Sequence, residues 1–220
     1  MPAPFLPAAL GLYAAAVIYT FYDNCIVGYS YWTRTDMHSI PSPRHHKNIR
    51  LDARNYIGFG WYFLTLCTFR REPYFRSDPI ARWILHVLHQ ESARHALLHR
   101  AYCVMPDHLH LLLHGTAPNA DLLQFVKTFK HKTSFRFRVH FGKSLWQTSF
   151  YDHILRDEET PADVAWYIWL NPVRAGLAKK PPDYPYSGPF SLNWPSSGPP
   201  TIPWSPPAID NRISPSLTRA

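Results

Sequence analysis

Cysteine, glycine and acidic residues are scarce in this chain, and each shortage excludes a class of protein. Only 3 of its 220 residues are cysteine and they lie far apart, which excludes a disulfide-stabilised scaffold and a cysteine-rich zinc site. The 9 glycines form no phosphate-binding loop, and the sequence has no internal repeat. Because 23 Lys and Arg exceed 15 Asp and Glu, the formal net charge is +8 before the 13 histidines are counted. Such basicity favours an anionic partner, most often nucleic acid, although charge alone does not distinguish it from a membrane surface.

The positive charge belongs to the middle of the chain. Between Arg44 and Lys180 there are 20 Lys and Arg and 11 Asp and Glu. Prolines, by contrast, are concentrated at the end, where residues 181–220 hold 11 of the 22. That density is incompatible with a helix or a central strand. We therefore predict three regions, which are an atypical apolar extension over 1–43, one domain over 44–190, and an extended, disordered tail over 191–220.

The N-terminal segment has no charged side chain between Met1 and Tyr22. A signal peptide requires a positive region before the apolar run, and none is present. A membrane helix requires about 20 apolar residues, and the run is barely that long. The third interpretation is that the segment does not belong to the domain, with Met37 as an alternative start. We favour the third interpretation and expect a cytoplasmic protein without a membrane partner.

Hydrophobic patterning predicts strands alternating with helices in the domain. Strands are predicted over 62–69, 98–104 and 108–114, with a turn at 105–107 and an irregular segment or short strand over 146–155. Helices are predicted from a cap at Ser77 or Asp78 to about His95, from Asp121 to Phe141, and from Thr160 to Asn171, where Pro172 and Gly176 end the last one. Residues 134–141 of the middle helix also alternate as a strand does. The order predicts an α+β fold with a ferredoxin-like antiparallel sheet, helices on one face, and a further C-terminal helix.

The sharpest local feature is the run His108-Leu109-His110. Residues i and i+2 of a strand point to the same face of the sheet, so both imidazoles project together. Two imidazoles at that spacing can chelate one divalent metal ion. The alternative is that they are two ordinary histidines of a histidine-rich chain.

A second feature is the run 167–172, which reads YIWLNP. Tyr167 and Asn171 are four residues apart on a predicted helix and therefore share a face. A tyrosine hydroxyl beside a bound metal is a plausible nucleophile towards phosphorus, and an asparagine amide can supply an oxygen ligand. The alternative is a core aromatic followed by a residue that ends the helix before proline.

Three stretches, 101–114 (AYCVMPDHLHLLLH), 145–159 (LWQTSFYDHILRDEE) and 167–176 (YIWLNPVRAG), together resemble the transposase-type HUH single-tyrosine nucleases. The branch that they resemble most is that of the REP-associated tyrosine transposases. The resemblance extends over roughly residues 54–190 in order and spacing. The residues before position 40 and the proline-rich tail have no counterpart in the family pattern.

This resemblance implies a site and a reaction. His108 and His110 match the metal-binding pair of the family, Asn171 matches its polar third ligand, and Tyr167 matches the nucleophile. The implied cofactor is Mg²⁺ or Mn²⁺, with no small-molecule cofactor, and the implied partner is single-stranded or hairpin DNA. The implied products are a 5′-phosphotyrosine and a free 3′-hydroxyl. The protein is expected to act as a monomer or a homodimer.

Basic residues outside the motifs are candidates for DNA contact. Lys127, Lys130, Lys132 and Arg136 alternate with phenylalanines, as in a groove that follows a nucleic-acid backbone, and Arg156 is a further candidate. Tyr151 is a rival nucleophile, because Asp152 and His153 follow it directly. Two other functions remain open, namely a non-catalytic nucleic-acid-binding protein with the same fold and a metal-dependent hydrolase that uses water.

Overall fold

A computed structural model of the chain describes residues 51–189 and 198–207. The predicted extension over 1–43 and most of the predicted tail lie outside these residues, as does the beginning of the predicted domain. Within the described residues, no helix is both long and apolar enough to cross a membrane.

The described part of the chain contains one antiparallel sheet with three long helices. The strands are β1 (Trp61–Cys67), β2 (Leu97–Met105), β3 (His108–Gly115), β4 (Tyr151–Ile154) and β5 (Ser187–Gly188), in the spatial order β4-β1-β3-β2-β5. The helices are α1 (Asp78–Arg94), α2 (Leu122–Phe141) and α3 (Pro161–Arg174). The first four strands and two helices follow each other as β-α-β-β-α-β. This arrangement confirms the predicted α+β class and the ferredoxin-like sheet.

Two ambiguous segments are settled by their surroundings. Residues 134–141 are helical, because Phe137 is buried in the helical register and Gly142 ends α2 in the left-handed conformation with φ 65°. The segment predicted as irregular or a short strand contains β4, which pairs with β1 at the edge of the sheet. β1 itself ends at Cys67, two residues before the predicted end, and a 3₁₀ turn over Phe69–Arg71 follows.

The predicted end of the last helix at Asn171 is wrong, because α3 continues through Pro172 to Arg174. Proline has no N–H to donate to the carbonyl of Ile168 one turn earlier. The side-chain amide of Asn171 donates to that carbonyl instead, at 3.3 Å, and also to the carbonyl of Tyr167, at 2.8 Å. A side chain therefore replaces the hydrogen bond that the proline removes, and the helix gains a further turn.

The two faces of the sheet are covered by different helices. One face carries Phe63 and Leu112, and it forms a core with Val164, Ile168 and other residues of α3. The opposite face carries Tyr102, whose ring contacts His89 of α1. Helix α2 packs beside α1, where the two are joined by an ion pair between Lys132 and Glu91. Helix α3 therefore covers the face to which His110 belongs, since His110 is paired with Thr65, two residues from Phe63.

Candidate active site

His108 and His110 meet on the face of the sheet that α3 covers. Their Nε2 atoms are 3.1 Å apart and the two rings are nearly perpendicular. Strand β3 lies in the middle of the sheet, between β1 and β2, so the pair is carried by the most constrained strand of the fold. His110 is only 5% exposed.

The outer nitrogen of each histidine is held by a neighbour. The Nδ1 atom of His108 lies 2.5 Å from Oδ1 of Asp107, and the Nδ1 atom of His110 lies 2.9 Å from the hydroxyl oxygen of Thr65. An ionised carboxylate only accepts, so His108 donates from Nδ1 and keeps a lone pair on Nε2. The threonine hydroxyl can donate or accept. Two states of the pair are therefore compatible with these contacts. Without metal, Nε2 of His110 donates to Nε2 of His108; with metal, both Nε2 atoms carry lone pairs that can bind the ion.

Burial keeps both imidazoles in the neutral form that binds metal. It lowers the pKa of His108, against the opposing effect of the Asp107 hydrogen bond. It lowers the pKa of His110 well below the ordinary value of 6.5, and the neighbouring His108 lowers it further. Arg174 and Arg71 add to this effect at His110 through their positive charges.

The donor set fits a divalent cation. Two nitrogens about 2.1 Å from one ion and in adjacent octahedral positions would stand about 3 Å apart, which is the separation seen here. Partners on the outer nitrogens fix ring orientation in the manner typical of metal-binding histidines. Among the described residues, no third His, Cys, Asp or Glu completes a metal-binding cluster with the pair. A third protein ligand would therefore have to come from another residue type, such as the predicted Asn171.

Helix α3 brings Tyr167 to the histidine pair. The ring of Tyr167 packs edge-to-face against His110, with centroids 5.8 Å apart, and against Phe63, also at 5.8 Å. Burial raises the pKa of the Tyr167 hydroxyl, and the positive charge of Arg174 opposes that rise. The guanidinium of Arg174 lies 4.8 Å from the centre of the tyrosine ring, and its Nη2 donates to the Tyr167 carbonyl at 2.8 Å. Tyr167, the two histidines and the positively charged Arg174 thus lie on one side of the sheet.

Asn171 lies on the same helix, one turn beyond Tyr167. Its amide nitrogen is engaged by the two carbonyls of its own helix, as described above. Only its amide oxygen would therefore be available to a cation. Its role as a metal ligand stays a prediction.

The rival tyrosine, Tyr151, also lies on this face, paired with Thr65 across β1 and β4. Its hydroxyl donates to the carbonyl of Pro207 at 2.9 Å. Burial raises the pKa of Tyr151 to about 12, and the negative charges of Asp152 and Glu159 contribute to the rise. Negative neighbours thus disfavour a phenolate at Tyr151, whereas a positive neighbour favours it at Tyr167.

The predicted DNA-contacting lysines lie in another layer of the molecule. Lys127, Lys130, Lys132 and Arg136 all belong to α2, which packs beside α1 on the far side of the sheet from the histidines. Lys130 donates to the carbonyls of residues 147 and 148, and Lys132 pairs with the buried Glu91 at 2.7 Å. These two lysines therefore have structural contacts, and their contact with DNA stays a prediction.

Arg156, the remaining candidate for DNA contact, lies in the loop between β4 and α3. Its side chain is exposed and stands 3.9 Å from that of Glu158. Its backbone N–H donates to the carboxylate of Glu159 at 2.9 Å.

The described part of the tail lies against the candidate site. The ring of Trp204 packs against Tyr167, with centroids 5.2 Å apart, and against Phe63, at 5.1 Å. Residues 198–207 form no helix or strand, in agreement with their prolines, yet these contacts attach them to the domain.

Sequence reasoning missed several neighbours of the site. Asp107, Thr65, Arg174 and Trp204 each touch a histidine or the tyrosine. Two of them had a local signal, because Asp107 directly precedes His108 and Arg174 lies two turns after Tyr167 on the same helix. The other two reach the site only through strand pairing and through the path of the tail.

Comparison with known families gives a match over half of the chain. The profile of the family described as "Transposase IS200 like" matches residues 60–169. The matched range contains both histidines and Tyr167.

Individual proteins give a consistent result. A protein of Haemophilus influenzae named as a REP-associated tyrosine transposase is 28% identical over 148 residues, which are 61% of this chain and 82% of that protein. The REP-associated tyrosine transposase of Escherichia coli is 29% identical over 93 residues, which are 40% of this chain and 51% of that protein. A solved structure of a REP-associated tyrosine transposase bound to a REP hairpin superposes with a TM-score of 0.51 at 24% identity, covering 60% of this chain and 78% of that one. At that identity the superposition supports the fold alone.

Proposed function

Because this chain belongs to the family of IS200-like transposases, we propose that it cleaves and rejoins single-stranded or hairpin DNA through a covalent bond to Tyr167. The observation that carries the proposal is the contact between the Tyr167 ring and His110, whose Nε2 atom faces that of His108 at 3.1 Å. A nucleophilic hydroxyl and a pair of metal-binding nitrogens are thereby presented to one substrate phosphate.

In the proposed reaction the phenolic oxygen of Tyr167 attacks the scissile phosphorus. The new O–P bond forms as the bond from phosphorus to the 3′-oxygen breaks. The phenol loses a proton and the departing 3′-oxygen gains one, so the products are a 5′-phosphotyrosine and a 3′-hydroxyl with no net proton change. Attack by a 3′-hydroxyl on the phosphotyrosine reverses the step and rejoins DNA without an external energy source.

His108, His110 and the amide oxygen of Asn171 would hold a divalent cation, Mg²⁺ or Mn²⁺. Such a cation would offset the charge that develops on the scissile phosphate. Imidazole ligands suit Mn²⁺ better than Mg²⁺. The chain's own contribution is to orient the tyrosine ring between Phe63 and His110 and to place the positive charge of Arg174 beside it.

The hairpin substrate is proposed by analogy with the solved relative, which is bound to a REP hairpin. The net charge of +8 is consistent with a polyanionic partner. Lys127 of α2 and Arg156 are exposed candidates for contact with that partner.

The test is covalent capture. Labelled single strands that carry a hairpin are incubated with the protein and Mn²⁺, and the mixture is separated on a denaturing gel. The strands are shortened stepwise from the 5′ side, so that the cleaved fragment diffuses away and the adduct accumulates. A labelled band at the size of the protein is expected for the wild type and for Tyr151→Phe, and no band for Tyr167→Phe.

Each other outcome identifies a different function. Cleavage without any adduct would indicate a hydrolase that uses water. If every shortened strand is bound and none is cleaved, the protein would be a non-catalytic nucleic-acid-binding protein. An adduct that persists in Tyr167→Phe and disappears in Tyr151→Phe would assign the reaction to the rival tyrosine.

A further inference from the structure

Trp204 fills a pocket beside the candidate nucleophile. Its indole lies edge-to-face against Phe63 and Tyr167, at 5.1 and 5.2 Å, and 6.3 Å from the ring of His153. The indole packs against the apolar core between the sheet and α3, although Trp204 belongs to none of the strands or helices described above. A residue thirty positions beyond the end of α3 thus occupies space that adjoins the candidate nucleophile.

The indole is fixed by one polar contact. Its Nε1–H donates to Oε1 of Glu159 at 2.8 Å. The other carboxylate oxygen of Glu159 accepts from the backbone N–H of Arg156 at 2.9 Å and lies 2.6 Å from Nε2 of His153. Burial alone would raise the pKa of Glu159, but these hydrogen bonds outweigh burial and lower it. Glu159 is therefore ionised at neutral pH and presents an acceptor that only a donor can satisfy.

We propose that this pocket binds a purine base of the DNA next to the scissile phosphate, and that Trp204 takes the place of the base when no DNA is bound. This inference rests on the proposed function. An indole and a purine are both flat bicyclic rings of similar size, and aromatic side chains bind either by ring contact. The exocyclic amine of adenine or guanine can donate to Oε1 of Glu159 as the indole does. A pyrimidine has a single ring and would therefore make less contact with Phe63 and Tyr167.

Position supports the same occupant. A base that touched the Tyr167 ring would bring its own sugar and phosphate to the side of the molecule where Arg174 and the histidine pair lie. The pocket would then select the nucleotide beside the attacked phosphate.

Because Trp204 is part of the same chain, it competes with DNA at a high effective concentration. A free nucleotide must displace it, and its apparent affinity is reduced by the fraction of molecules in which the pocket is filled. Removing the indole should therefore reveal the specificity of the pocket.

The experiment measures nucleotide binding to the full chain without metal, by isothermal titration calorimetry. The probes are dAMP, dGMP, dTMP and 2-deoxyribose 5-phosphate, and the proteins are the wild type, Trp204→Ala and Ile202→Ala. Ile202 is a matched control, because it lies in the same tail segment and is 84% exposed. We expect Trp204→Ala to bind dAMP and dGMP at least fivefold more tightly than the wild type or Ile202→Ala does, with no gain for the sugar phosphate and a smaller gain for dTMP. A purine deoxynucleotide without an exocyclic amine should gain less than dAMP.

Equal gains for purine nucleotides and for the sugar phosphate would overturn the inference, as would no gain at all in a folded variant. Thermal unfolding establishes whether Trp204→Ala is folded. If Trp204→Ala is unfolded, Trp204→Phe takes its place, because it leaves the Glu159 acceptor free and replaces the indole by a smaller ring. Its nucleotide affinities must then rise in the same order, with the purine nucleotides gaining most, or the inference fails. The double variant Trp204→Ala, Tyr167→Phe keeps the ring that lines the pocket, so it should bind purine nucleotides and form no DNA adduct. If purine nucleotides bind but no protein that retains Tyr167 forms a DNA adduct, the proposed function is contradicted and the purine pocket is not.

Discussion

The imidazoles of His108 and His110 face each other through their Nε2 atoms at 3.1 Å, because their outer nitrogens are held by Asp107 and Thr65. The strand repeat places both rings on one face, but it does not fix how each ring is turned. The two outer partners do so, and they leave the inner nitrogens facing each other. The geometry of the candidate metal site therefore depends on four residues instead of two.

The outer partners should control metal affinity. Asp107→Asn removes the negative charge of the acceptor on His108, Thr65→Val removes the hydroxyl on His110, and each should weaken Mn²⁺ binding by about 10- to 100-fold. Binding is measured by calorimetry on the DNA-free protein. Asp52→Asn is the control, since Asp52 is exposed and pairs with Arg54, two residues along the chain. Unchanged affinity in both outer-partner variants would exclude the histidine pair as the metal site.

Metal binding should persist at mildly acidic pH. Burial lowers the pKa of both histidines from 6.5, and a lowered pKa means that an imidazole stays neutral, and able to bind metal, at lower pH. Mn²⁺ affinity should therefore be nearly constant from pH 8 to pH 6.5 and should decline only below that range. A decline centred above pH 6.5, measured in buffers of constant ionic strength, would show that the histidines are not buried as described.

Lys132 should matter to stability more than to DNA binding. Its ammonium pairs with Glu91, which is 1% exposed, and Arg94 also pairs with that carboxylate, at 2.8 Å. Lys132→Met leaves the buried carboxylate with one partner fewer and should lower the free energy of unfolding by about 2 kcal/mol. Urea unfolding measures the change.

The matched comparison for Lys132 is Lys127→Met, on the same helix. Lys127 is exposed, so its loss should change stability by less than about 0.5 kcal/mol. If Lys127 contacts DNA, as predicted, the same variant should reduce DNA affinity and its salt dependence. Equal destabilisation by both substitutions would contradict a structural role for Lys132.

Arg174 should assist the proposed attack by Tyr167. Its guanidinium lies over the tyrosine ring and also donates to the tyrosine carbonyl. Arg174→Met removes the charge but keeps much of the side-chain length, and should slow adduct formation about tenfold. Arg174→Lys should recover part of the rate, because it restores the charge without the planar fork. Lys179→Met, at an exposed position beyond the helix, should leave the rate unchanged.

Arg71 should lower the free energy of unfolding of the protein but increase its rate of DNA cleavage. Its backbone is in the left-handed region with φ 58°, which is unfavourable for any residue with a side chain, and its side chain lies 3.3 Å from Asp107. Arg71→Gly relieves the backbone and should raise the free energy of unfolding by about 0.5 kcal/mol, while loss of a positive charge beside the histidines should slow DNA cleavage. Arg76→Gly is the control, because its backbone lies outside the left-handed region, and it should only destabilise. A loss of stability in both variants would mean that Arg71 is not strained.

Local patterns predicted most of the elements and part of the site. The alternation in residues 108–114 placed His108 and His110 on one face, because side chains in a strand repeat every two residues. The cap at Thr160 was predicted correctly, and its side chain accepts from the backbone of Asp163. The end of the same helix was missed, because it depends on a side chain of Asn171 that replaces a backbone donor.

What the sequence determined by itself is therefore the local geometry, including two imidazoles side by side on one strand and a tyrosine on the last helix. The tertiary structure alone decided that this helix covers the face of the histidines, that the basic helix α2 lies on the opposite side, and that Trp204 enters the site. Periodicity follows from the backbone of each element, but the face against which an element packs depends on contacts between residues that are far apart in the chain. The candidate active site is such a set of distant contacts, since it joins residues from 63 to 204.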